Sequence, residues 1–230
     1  MRKPRLLLAD DHAIFLEGLT RLLEPEFEVI GKALDGRAML GMSARLKPDV
    51  IIADISMPLL SGIEAVRQLR KKDSRTKVIF LSMHADVELA SQAIRLGASG
   101  YVLKHSAAES LSKAIHEVLK GRTYVSPRIC VDVLSTIRQT SKHPERPAVE
   151  LTQREREVLQ LVSEGRTIRG IANILDIAGR TVVFHKSNLM DKLGLRTTAE
   201  LTRYAFQSGL LAEEPAFDHA TGAAARAMHA

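Results

Sequence analysis

Up to about residue 120, short, mostly apolar runs alternate with stretches whose apolar residues recur every three or four positions. The runs cover 5–9, 29–33, 50–53, 78–81 and 101–103, and the periodic stretches cover 14–23, 37–45, 62–70, 87–95 and 108–119. Leu111, Ile115, Val118 and Leu119 illustrate the helical spacing. Strands that are apolar at every position are buried on both faces, which requires a parallel sheet covered by helices on each side. The alternation predicts an α/β fold, a (βα)5 doubly wound domain over 1–121. Gly121 closes its last helix. Ser126-Pro127 then reads as a cap with proline at the first helical position, opening a short helix to about Arg138.

The stretch 122–149 is therefore expected to be a linker holding that one helix. Its later part, QTSKHPERPAVE, carries two prolines and scattered charges. From 150 to 211 the pattern is wholly helical, with breaks near Gly165, 177–179 and Gly194, and predicts an all-α four-helix domain. The end of the chain, 212–230, is Ala-rich without an apolar stripe and is expected to be disordered.

Composition narrows the class without naming a function. The chain is 45% hydrophobic and 26% charged, as soluble globular proteins are. No segment approaches the roughly 20 apolar residues of a membrane span, so no membrane association is expected. The opening MRKPRLLLADDH starts basic, but its apolar run stops at Asp10-Asp11, too early for a signal peptide. Cys130 is the single cysteine, which excludes an internal disulfide or a cysteine zinc site. A cytoplasmic location is expected. The formal charge of +6 suggests nucleic acid, yet residues 150–211 hold nine basic against seven acidic residues. Net charge therefore does not carry that inference.

Chemistry gathers at the strand ends. In open α/β sheets, ligands sit beyond the carboxyl ends of the strands. There the first strand ends in Asp10-Asp11, the third in Asp54, the fourth in Ser82 and the fifth in Lys104. A lone Asp after a strand is usually a turn or cap, but these residues at successive strand ends form a set. Three carboxylates at one rim repel unless a cation neutralises them, and hard oxygen donors suit Mg²⁺. A carboxylate beside such an ion can attack a phosphoryl group, with a lysine and a hydroxyl stabilising the transferred oxygens.

Residues 5–120 resemble the receiver domain of two-component signalling, through LLLADDH, DVIIADISMPLLSGIEAV, VIFLSMH and GASGYVLK. The resemblance implies Asp54 as phosphoacceptor and Asp10, Asp11 and Asp54 as metal ligands, with the backbone carbonyl of Ser56 completing the protein's share. It implies Lys104 as the phosphate-pairing lysine, Ser82 as the switch hydroxyl and Tyr101 as the aromatic switch. The alternative for Tyr101 is an ordinary half-buried strand aromatic. Met57-Pro58 and Gly62 match the loop after the acceptor. His84, two residues past Ser82, reads either as a tuner of hydrolysis or as a solvated loop histidine.

The segment from Leu151 resembles the DNA-binding domain of NarL/FixJ (LuxR-type) regulators, through LTxREREVL, TVxxH and KLG. Thr152 with Glu155 is a capping box, and Val158, Leu159, Leu161 and Val162 are expected in the core. Residues 181–193 are the expected recognition helix. Val182, His185, Leu189 and Leu193 share its core side; Arg180, Val183, Phe184, Ser187 and Asp191 form the opposite stripe. Arg180, Thr181, Lys186, Asn188 and Lys192 are candidates for phosphate contacts, which position a protein. Val183, Phe184 and Ser187 are candidates for base contacts, which specify sequence. The sequence departs from the family pattern at Ile168, Gly170, Ala178 and Val183, where Asn, Glu, a capping Ser and a charged residue are usual. A Val-Phe pair forms no bidentate bonds to purines but can touch thymine methyls.

The expected function is a phosphorylation-activated transcription regulator rather than an enzyme. The resemblance implies a sensor histidine kinase as phosphodonor, Mg²⁺, double-stranded DNA and a homodimer when phosphorylated or DNA-bound. One alternative is a receiver-controlled protein-interaction module whose helix-turn-helix has lost specific DNA binding. Against a phosphohydrolase, Asp54 lacks a second Asp two residues on, and no nucleotide-binding glycine loop occurs.

Overall fold

The computed structural model describes residues 2–73, 75–83, 85–142 and 150–207, with side chains excepted at 139–142 and 207. His84, the proline-bearing stretch 143–149 and the expected disordered tail lie outside these residues.

The five expected strands are present as β1 (Arg5–Ala9), β2 (Glu28–Ala33), β3 (Val50–Asp54), β4 (Lys77–Ser82) and β5 (Gly100–Leu103). With them run α1 (Ala13–Leu23), α2 (Gly36–Leu46), α3 (Gly62–Lys72), α4 (Val87–Arg95) and α5 (Ala107–Leu119). A 3-10 turn at Lys104–Ser106 leads into α5. All strand pairs are parallel, in the order β2-β1-β3-β4-β5-β6. The five-strand expectation is one strand short, because β6 (Tyr124–Val125) pairs with β5. Two residues are too short a run to show a period; tertiary pairing makes this strand. The Ser126 N–H donates to the Tyr101 carbonyl at 2.9 Å, and the Ser126 hydroxyl accepts from the Leu103 N–H at 3.1 Å.

Alternate residues divide between two cores. Leu6, Leu8, Ile52, Ile79 and Val102 pack against α1 and α5, while Leu7, Ile51, Phe80, Tyr101 and Leu103 pack against the opposite helix layer. Burying such a side chain is worth about 1.5–3 kcal/mol, so both faces of the sheet had to be apolar. The second layer includes α6 (Pro127–Lys142), whose Ile129 and Val133 are buried in it. This helix begins at the expected proline and runs beyond Arg138.

The C-terminal unit consists of α7 (Gln153–Ser163), α8 (Ile168–Leu175), α9 (Gly179–Leu193) and α10 (Thr198–Gln207). Both halves of the Thr152–Glu155 capping box are formed. Thr167 caps α8 by accepting from the Gly170 N–H. Ala178 stands at the N-cap of α9 and offers it no side-chain bond. Val158, Leu159, Leu161, Ile171, Val182, Leu189, Leu201 and Ala205 form the core of this unit.

Candidate functional site

Sheet register assembles the acidic rim. Ala9 lies beside Ala53, Asp54 beside Leu81, and Ser82 beside Leu103. The strands therefore end nearly level, and Asp10, Asp54, Ser82 and Lys104 emerge at one edge. Gly62 holds the loop after Asp54 close to the strand: a Cβ there would lie 2.0 Å from the Asp54 carbonyl oxygen. Only glycine permits that approach.

Lys104 sits between two carboxylates, its Nζ 2.7 Å from Asp10 Oδ2 and 2.9 Å from Asp54 Oδ2. The first is a close ion pair rather than a well-directed hydrogen bond. The ammonium also lies 5.0 Å from the centre of the Phe15 ring. Burial pushes the Asp54 carboxyl up to about 6, helped by Asp10 and Asp11 and opposed by Lys104. Burial alone would lower Lys104, but Asp10 and Asp54 together hold it above its ordinary value.

One donor atom each from Asp10, Asp11, His12 and Asp54 lies within 4.8 Å of the others. Three carboxylates at that spacing are a hard-oxygen set that fits a divalent cation such as Mg²⁺, with waters completing the shell. His12 was not expected here. Its Nδ1 is 2.9 Å from Asp11 Oδ1 and 3.1 Å from Asp10 Oδ1. Its place directly after the acidic pair was the available signal. Ser56 and Ser82 line the same cleft as Asp11, Asp54 and Lys104. Tyr101 is fully buried rather than half-buried. Burial pushes its phenol up to about 12, and a hydrogen bond with Ser82 opposes that rise. The two expected switch residues are thus in contact.

On α9 the expected outward stripe is real: Arg180, Val183, Phe184, Ser187 and Asp191 are all exposed. Val182 and Leu189 are fully buried, while His185 and Leu193 are partly so. Thr181 and Asn188 are also partly buried. Two of the lysines have partners within the domain. Lys186 Nζ donates to Thr198 Oγ1 at 3.0 Å, and Lys192 Nζ is 2.8 Å from Glu155 Oε1. Lys192 thus ties the end of α9 to the capping box of α7.

A second set of residues was missed by sequence reasoning: those seating α7 on the β3–α3 loop. Gln160 accepts from the Ser61 N–H at 2.7 Å and donates to the Met57 carbonyl at 2.9 Å. Glu164 accepts from the Leu59 N–H at 3.0 Å, and Arg156 Nε reaches Glu64 Oε2 at 2.5 Å. Leu59 has a left-handed backbone, with φ of 64°, and packs its side chain on the C-terminal core. The available signal was Gln160, a polar residue between Leu159 and Leu161.

Comparison with known proteins agrees with this architecture. Residues 6–116 match the profile of the response regulator receiver domain, and residues 149–205 match that of the bacterial regulatory proteins of the luxR family. The transcriptional regulatory protein MctR of Rhizobium johnstonii is 36% identical over 92% of this chain and 97% of its own. The RcsB response regulator of Salmonella typhimurium, studied for its conformational dynamism in DNA interaction, superposes with a TM-score of 0.60 at 28% identity. It covers 92% of this chain and 100% of its own. RcsB solved as two dimers bound to two parallel DNAs gives a TM-score of 0.54 at 27% identity, covering 89% and 98%. With a receiver at one end and a luxR-family helix-turn-helix at the other, the chain belongs to the NarL/LuxR-type response regulators of two-component systems.

Proposed function

We propose that Asp54 accepts a phosphoryl group from a sensor histidine kinase and that this event controls DNA binding by α9. The chain is a DNA-binding transcription regulator by family; the acceptor, ion and coupling are the finer reading. The observation that carries it is the convergence of Asp10, Asp11 and Asp54 within one ion's reach, with Lys104 beside them. Asp10, Asp11, Asp54 and the Ser56 carbonyl would hold Mg²⁺, which would neutralise the phosphoryl oxygens. Asp54 Oδ attacks phosphorus in this scheme, and the phosphodonor's imidazole leaves. Lys104 then turns from Asp10 toward the new phosphoryl group, and the Ser82 hydroxyl leaves Tyr101 for the same oxygens. Ile14, 91% exposed on the rim of the cleft, offers the phosphodonor an apolar landing.

The loop 55–61 serves two partners in this reading. Ser56 faces the ion site, and Met57, Leu59 and Ser61 hold α7. A change at Asp54 therefore bears directly on the seat of the output domain, a shift between docked and freed states. The seat leaves the α9 stripe exposed, so control acts through domain placement and pairing of two copies rather than by covering α9. The site of action is the cytoplasm, where such kinases present their phosphohistidine. To test the reading, wild type and Asp54→Ala are titrated with duplex DNA, with and without a small-molecule phosphodonor and Mg²⁺. Tighter binding only in phosphorylated wild type is expected; identical curves throughout would contradict it.

A further inference from the structure

We propose that α9 reads DNA by apolar contact with 5-methylpyrimidine edges at neighbouring base pairs, through Val183 and Phe184; this rests on the DNA-binding reading above. Both side chains project from the outward stripe, Val183 53% exposed and Phe184 60% exposed. Neither belongs to the core of the domain, which takes Val182 and Leu189 from the opposite side of the helix. Docking of α7 on the receiver leaves them bare as well. Two large apolar side chains thus lie side by side with more than half of their surface in water, a patch that a ligand can cover.

The chemistry of the stripe selects the ligand. Its centre holds no donor or acceptor, so it cannot pair with guanine O6 and N7 or with adenine N6 and N7. The apolar feature of the major-groove edge is the C5 methyl of thymine, which a methylated cytosine also presents. Arg180, three and four residues before the pair, is exposed on the same stripe and supplies a cation for the phosphate backbone. Ser187, one turn after the pair, adds a hydroxyl that accepts either kind of base edge. Phe184 is braced, its ring edge-on to that of His185 at 5.7 Å between centroids. Adjacent residues of a helix point about 100° apart, so the pair spans more than one base step.

The test uses the full-length protein treated with a small-molecule phosphodonor and Mg²⁺. Bound sequences are selected from random duplex, and each thymine of the selected half-site is then replaced by uracil, which removes the methyl and nothing else. Burying one methyl is worth about fourfold in binding. Uracil at two neighbouring positions should each weaken binding by about that factor. Val183→Ala and Phe184→Ala, at exposed positions where folding is retained, should abolish the uracil effect at one position apiece. A parallel selection from duplex with 5-methylcytosine in place of cytosine separates the two methyl sources. Enrichment of that base at the two positions would assign methylated cytosine, and none would assign thymine. Sequence-selective binding that ignores uracil at every position, without such enrichment, would overturn the proposal and leave the DNA-binding reading intact. Salt-dependent binding without selectivity would overturn it too. Absence of any duplex binding would overturn both and make the pair a protein-contact surface.

Discussion

The side-chain amide of Gln160 binds Ser61 across 99 residues of sequence, its oxygen accepting the buried Ser61 N–H at 2.7 Å. The same amide donates to the Met57 carbonyl, so one α7 side chain holds the backbone on both sides of Leu59. Each of these buried backbone groups loses about 1–3 kcal/mol if its partner is removed. Gln160→Leu keeps the size of the side chain and deletes both bonds, together with the one its amide donates to Glu164 at 2.9 Å. Amide hydrogen exchange at Ser61, whose N–H loses its acceptor, should accelerate at least about tenfold, equivalent to 1.4 kcal/mol. Unchanged exchange would show that the seat does not depend on Gln160.

Asp54 predicts a pH effect of unusual sign. Burial raises its folded-state value to about 6 from 3.8, so between those values the folded chain binds more protons than the unfolded one. Stability of the ion-free protein should therefore fall as pH rises through this window, by at most about 3 kcal/mol, and stay level above it for this group. Asp54→Asn removes the titration. In urea melts without metal, its advantage over wild type should grow from pH 4 to pH 6.5. Mg²⁺ should narrow the gap at pH 7 by stabilising only the wild type, and an advantage that does not vary with pH would contradict the account.

Ala178 leaves the first turn of α9 without a side-chain cap. Ala178→Ser supplies a hydroxyl for an orphan N–H and should stabilise the C-terminal unit by about 1 kcal/mol. Thermal unfolding compared with wild type checks this; no gain would mean that those N–H groups are already satisfied.

Lys192 is held by Glu155, whose carboxyl is buried. Burial alone would raise Glu155, but the bonds from Lys192 and Thr152 hold it below the usual carboxylate range. Lys192→Met should cost about 1 kcal/mol of stability and leave the salt dependence of DNA binding nearly unchanged. Loss of about one counterion from that dependence would instead make Lys192 a phosphate contact.

The elements that were legible in the sequence are those whose pattern reflects local burial. The central strands read as apolar runs because helices cover both faces, and the α5 stripe of Leu111, Ile115 and Val118 points wholly into one core. The acidic rim was legible because its residues follow the strand ends, so the topology alone gathers them. β6 was not, since two residues carry no period and Tyr124–Val125 becomes a strand only by lying beside Gly100–Tyr101. Gln160, Glu164 and Leu59 were not legible either. Their roles arise from one domain meeting the other, which no local spacing records.

The most direct test of the central claim is phosphorylation of the purified chain by a small-molecule phosphodonor, followed by intact-mass measurement. The account predicts one added phosphoryl group in wild type with Mg²⁺, none with a chelator in place of Mg²⁺, and none in Asp54→Ala under any condition. Equal labelling of Asp54→Ala, or labelling of wild type that ignores the ion, would contradict it.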